Sequence, residues 1–151
     1  MLDYKTLSLE EATRAIEAVI KAARDANHQG IAAVVVDKAG DIIAAARMDG
    51  KAGRFFKAAH RKAYTAAIFE RDTAGVKKFW NMQGEQGHRG PTDWNDPMLT
   101  TLPGGHCVLH GKLVVGGFAV AGGNQQISDE AFAEIGIKAL GPDFRHRVDW
   151  D

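Results

Sequence analysis

Two pairs of short apolar runs, each pair divided by a turn too short for a crossover, constrain this chain more than any other feature. Ile31–Val36 and Ile42–Ala46 are separated only by Asp37-Lys38-Ala39-Gly40-Asp41. His106–Leu109 and Leu113–Ala121 are separated only by His110-Gly111-Lys112. Parallel neighbours need a connection of about a dozen residues or more, so each pair folds as an antiparallel hairpin. Gly40 sits where such a turn calls for positive φ. The small side chains of Ala32, Ala33 and residues 44–46 let helices pack close to this sheet.

Helical signals surround the hairpins. Ser8-Leu9-Glu10-Glu11 is a capping box, after which Ala12, Ala15, Ile16, Val19, Ile20 and Ala23 recur at helical spacing. Asn27-His28-Gln29-Gly30 ends that helix. A second helix is expected over Arg54–Glu70, with Phe55, Phe56, Ala59, Ala63, Ala66 and Ala67 on one face and His60 and Lys62 flanking it. Thr73 can cap a third, running to about Met82. The stretch Gln83–Thr101 is rich in Gly, Pro, Asn and Asp, has no periodicity and reads as a long functional or covering loop. Ser128 caps a last amphipathic helix carrying Phe132, Ile135 and Leu140, with Asp129 and Glu130 at its positive end. Gly141-Pro142 stops it, and the polar tail Asp143–Asp151 is expected to dock on a neighbouring subunit. The order implies one α+β domain over 1–151, a layered sandwich rather than a doubly wound parallel sheet.

Charge narrows the function. Lys plus Arg and Asp plus Glu both number 19 in 151 residues, so the phosphate-driven basic excess of a nucleic-acid binder is absent. A chain with so little self-repulsion suits a homo-oligomer. No run approaches the ~20 apolar residues that span a bilayer. The lone Cys107 rules out an internal disulfide, and the first residues resemble no secretory leader, so the expected location is cytoplasmic.

Taken together, several segments resemble the GlcG/HbpS family. They are Val34-Val35-Val36-Asp37 with Gly40, Arg47-Met48-Asp49-Gly50, Lys62-Ala63-Tyr64-Thr65-Ala66-Ala67, Pro103-Gly104-Gly105, and Leu113 through Gly123 followed by Asp129-Glu130. They occur in the family's order over nearly the whole chain. The resemblance implies a profilin-like fold with a central antiparallel sheet flanked by helices, homo-oligomers, and a pocket that Lys62 lines. Members of the family include haem-binding proteins and a glycolate-operon accessory protein. Where the family usually reads Gly-Gly-Val-Pro-Ile, this chain has Gly104-Gly105-His106-Cys107-Val108, which brings imidazole and thiol to that position.

The candidate site residues are therefore Lys62, Gly104, Gly105, His106, His60 and Cys107. A partly desolvated Lys62 can serve as acid, base or anion clamp; otherwise it snorkels at the helix border. Gly104 and Gly105 offer amides for a carboxylate or oxyanion, or they form a plain turn. His106 and His110 would lie ~13 Å apart along one strand, too far to share an ion, and no metal site is assigned. His106 is also a candidate haem ligand, since haem needs only one axial side chain from the protein. Cys107 with His60 is an open nucleophile pair, against the alternative of a small buried thiol. Three readings follow. One is a receptor for haem or a small carboxylate or carbonyl compound, accessory to a catabolic pathway. The others are a cofactor-independent acid–base enzyme using Lys62 and His106, and an oligomeric scaffold.

Overall fold

The computed structural model describes residues 1–150, so the last residue of the tail, Asp151, lies outside the described residues. The first helix, α1 (Leu9–Asp25), opens on the expected capping box: Glu11 N–H donates to Ser8 Oγ, and Ser8 N–H donates to Glu11 Oε1 at 2.9 Å. Strands β1 (Ala32–Val36) and β2 (Ile42–Arg47) form the first antiparallel hairpin. In its turn Asp37 Oδ1 accepts the amides of Ala39 and Asp41, and Gly40 has φ of 90°. Helices α2 (Gly53–Phe69), α3 (Thr73–Glu85) and the one-turn α4 (Pro91–Trp94) follow. Then come β3 (Gly105–His110), β4 (Leu113–Ala121), α5 (Asp129–Lys138) and a two-residue β5 (Phe144–Arg145).

The five strands make one sheet in the order β2-β1-β4-β3-β5, with every pairing antiparallel. Alternation sorts the side chains between two faces. Ala33, Val35, Val108, Val115, Phe118 and Val120 face α1 and α5, meeting Ile16, Val19, Phe132 and Ile137. Val34, Val36, Ala119 and Ala121 face α2 and meet Ala59, Ala63 and Ala67. The result is the helix–sheet–helix sandwich that the hairpins require.

The approach of α2 to the sheet depends on glycine. A Cβ at Gly105 would lie 2.5 Å from the Lys62 carbonyl oxygen, and one at Gly117 would overlap the Ala63 carbonyl. With both absent, the helix backbone rests directly on β3 and β4. This places Lys62 over the mouth of the diglycine bend.

Two segments differ from the sequence expectation. The region 83–101 is not a structureless loop: α3 runs on to Glu85, and Pro91 opens the turn of α4. The rest is pinned along α2 by side chains, because an aperiodic backbone still needs hydrogen-bond partners. Tyr64 OH donates to Asp96 Oδ2 at 2.7 Å, Arg61 donates to the Pro97 carbonyl, and Thr100 N–H donates to Thr65 Oγ1. The tail docks on its own chain. It adds β5 to the sheet edge, Asp72 N–H donates to the Arg147 carbonyl at 2.7 Å, and Trp150 Nε1 donates to the Gly75 carbonyl at 2.7 Å. No helix among the described residues is long and apolar enough to cross a membrane.

Candidate functional site

Lys62 is buried, with 2% of its side chain exposed. Its ammonium donates to the Val120 carbonyl and to Asp129 Oδ2, the latter at 3.0 Å. Burial pushes its pKa below the ordinary lysine value, while the neighbouring Asp129 carboxylate opposes the shift. Gly104 has φ of 104°, and a Cβ there would lie 2.9 Å from Lys62 Nζ and 2.5 Å from Asp129 Cβ. The ammonium therefore lies against the diglycine bend, but no cavity among the described residues is lined by the two together. The space between them is filled by the protein's own carboxylate, whose Oδ1 also accepts the Gly123 amide.

The amides after the bend are occupied too. β5 pairs with β3 only at Leu109 and His110, so the outer edge of β3 at residues 105–107 lacks a strand partner. Side chains at the start of α3 take its place. Gly105 N–H donates to Thr73 Oγ1 at 3.1 Å and Cys107 N–H donates to Asp72 Oδ1 at 3.0 Å. Thr73, expected as a cap, is the first helical residue, and Asp72 holds the N-cap position without using its carboxylate as a cap. Both side chains are spent on the sheet edge instead.

His106 is buried and its ring lies flat against that of His146, with centroids 4.1 Å apart and planes 4° from parallel. Burial pushes its pKa down to about 4, with Asp72 opposing, so the ring is neutral at physiological pH. His146 Nδ1 donates to Asp72 Oδ2 at 2.6 Å, which raises the His146 pKa. Asp72 and His146 were not singled out from the sequence. They lie 74 positions apart, with His146 in a tail that has no periodicity. The one available signal was an acid placed at the start of a helix with no capping partner three residues on.

Cys107 and His60 are not brought together by any described contact. The thiol packs among Ala66, Leu109 and Val114, and burial raises its pKa to about 12, so it is a small apolar side chain rather than a nucleophile. The half-buried His60 ring lies 6.4 Å from Phe56 on its own helix. His110 is different. It is exposed at the end of β3, its ring 4.9 Å from Phe144, and it lines a groove of about 390 Å³ with Tyr4, Lys5, Leu7 and Val115.

A central antiparallel sheet between two helical layers, with a groove at its β5 edge, defines a small α+β sandwich. Residues 7–138 match the family described as haem degrading protein HbpS-like, and the chain belongs to that family. The crystal structure of HbpS is 30% identical over 94% of this chain and 95% of that one, with a TM-score of 0.80. Protein ORFY of Klebsiella pneumoniae is 24% identical, with 93% of this chain and 94% of that chain covered and a TM-score of 0.81. The haem complex of PduOC is 19% identical over 94% and 99%, with a TM-score of 0.78. At those identities the last two establish the fold alone. Among curated proteins, none matches the chain significantly.

Proposed function

We propose that this protein binds haem in the groove beside His110, with the His110 imidazole as axial ligand. The observation that carries the reading is the sorting of histidines by environment. His106 is buried, His146 is hydrogen-bonded to Asp72, and His28 has a buried ring nitrogen. His110 combines an exposed ring with a groove walled by Tyr4, Leu7, Val115 and Phe144, with Lys5, Thr6 and Glu11 as its polar members. A flat macrocycle needs just such a surface, and one histidine suffices for ligation. Lys5 in the same groove offers a cation to a haem carboxylate. Family membership supports the ligand class, as does the haem complex of the structurally similar PduOC.

A small-carboxylate receptor or acid–base enzyme built on Lys62 and His106 has less support. The ammonium is already paired with Asp129, and the imidazole is buried. Titration of haem into the purified protein, followed in the Soret region, tests the proposal. A saturable, shifted band is expected for the parent protein and for Lys62→Met, with its loss in His110→Ala. If the parent gives only the broad spectrum of free haem, the reading fails.

A further inference from the structure

We infer that Asp72, His106 and His146 form a binding site for a first-row divalent metal ion, separate from the haem groove. One ligand atom from each residue lies within 4.8 Å of the other two. Asp72 and His106 are buried, with 2% and 4% of their side chains exposed, and His146 is 29% exposed. Two imidazoles and one carboxylate make a three-residue donor set that leaves coordination positions open to water or another small ligand.

His106 supplies the second observation. Its Nδ1 is buried with no hydrogen-bond partner among the described residues. Its Nε2 stands 3.9 Å from Asp72 Oδ2, too far for a hydrogen bond. Nε2, the nitrogen that faces the carboxylate, therefore has no hydrogen bond to give up and is free to ligate an ion beside Asp72. Nitrogen and oxygen ligands of such an ion sit at ~2.0–2.2 Å from it, which places neighbouring donors about 2.8–3.6 Å apart over octahedral to tetrahedral angles. The 2.6 Å and 3.9 Å separations from Asp72 Oδ2 bracket that range. The carboxylate is also oriented, because its other oxygen accepts the Cys107 amide, as ligating carboxylates usually are held.

The two rings set how the ion enters. An ion lies close to the plane of each imidazole that ligates it, and two parallel planes share no point. One ring must turn, and His146 is the one with room. It is partly exposed, and residues 145–149 line a concavity of about 340 Å³ around it. Turning His146 breaks its hydrogen bond to Asp72 and frees Oδ2 for the ion.

Cobalt(II) titration of haem-free, chelator-treated protein tests this, read by visible absorption and by the ring signals of the histidines in NMR. One Co²⁺ per chain is expected, displaced by Zn²⁺, with His106 and His146 broadened and His110 unaffected. Affinity should fall at least about tenfold in His146→Ala and Asp72→Asn and stay unchanged in His110→Ala. Because His146 is partly exposed, its variant keeps the test valid if Asp72→Asn does not fold. A parent protein that gives no saturable band, or a His146→Ala variant that binds as tightly as the parent, overturns the inference. Haem affinity of His146→Ala should match the parent, so failure here is distinguishable from failure of the haem reading.

Discussion

Consider neutralising the two members of the Lys62–Asp129 pair one at a time. Asp129→Asn keeps the side-chain size and an oxygen for the Gly123 amide, but leaves an ammonium that is 2% exposed with no carboxylate bonded to it and only the weaker field of Glu130. Removing one partner of a buried ion pair costs about 3–5 kcal/mol. Asp129 is 25% exposed, so water can enter, and the lower end of that range applies. A loss of about 3 kcal/mol corresponds to a drop in melting temperature of roughly 6–12 °C for a chain of this size. Lys62→Met is asymmetric to this. It replaces the buried charge by an apolar stem, and the carboxylate left behind can reach solvent and retains the Gly123 amide. A change within about 1 kcal/mol is expected. The double variant should recover most of what Asp129→Asn loses. Urea unfolding of the four proteins measures this directly. If Lys62→Met loses as much as Asp129→Asn, or the double variant loses the sum of both, Lys62 is not the buried charge that the pairing satisfies.

Three further outcomes follow from other parts of the molecule. The neutral His106 is held at about 4 when folded against 6.5 when free, so the unfolded chain binds more protons between these values. The stability His106 contributes is therefore present above pH 6.5 and lost as pH falls toward 4, by about 3 kcal/mol. His146, shifted upward, acts in the opposite sense, so the effect is read as the difference between parent and a His106→Phe variant across pH 4–7 in metal-free buffer. Cys107, with its thiol pushed up to about 12, should resist a thiol reagent at pH 8 in the native protein and react at the rate of unfolding; prompt labelling would contradict its burial. Gly117→Ala drives a methyl into the Ala63 carbonyl and should cost at least about 1–3 kcal/mol in urea unfolding, whereas Gly50→Ala, with no heavy atom within 4 Å but φ of 79°, carries only the backbone strain.

The layered fold was legible because hairpin spacing and side-chain alternation are local signals. The apolar face of α2 was legible too, although Lys62, expected at its border, is buried within it. What the diglycine bend does was not. Gly105 looks from sequence like a source of free amides, yet it lets the Lys62 carbonyl sit on the sheet, and its amide goes to Thr73. A diglycine that admits a ligand and one that admits a helix read alike. The Asp72–His106–His146 cluster left no spacing motif, because its members join only when the tail pairs along the edge of β3 and over the start of α3. The tail itself has mostly polar side chains and binds through backbone groups and through the polar atoms of Arg145, His146, Arg147 and Trp150, which hydrophobic periodicity does not register.

Haem held at the β5 edge of the sheet, beside His110, excludes haem held over Lys62. A crystal structure of the haem-loaded protein tests this placement most directly. Iron at bonding distance from the imidazole of His110, with Lys62 still paired to Asp129, is the predicted result. Iron ligated elsewhere, or a macrocycle that has displaced Asp129 from Lys62, would contradict it.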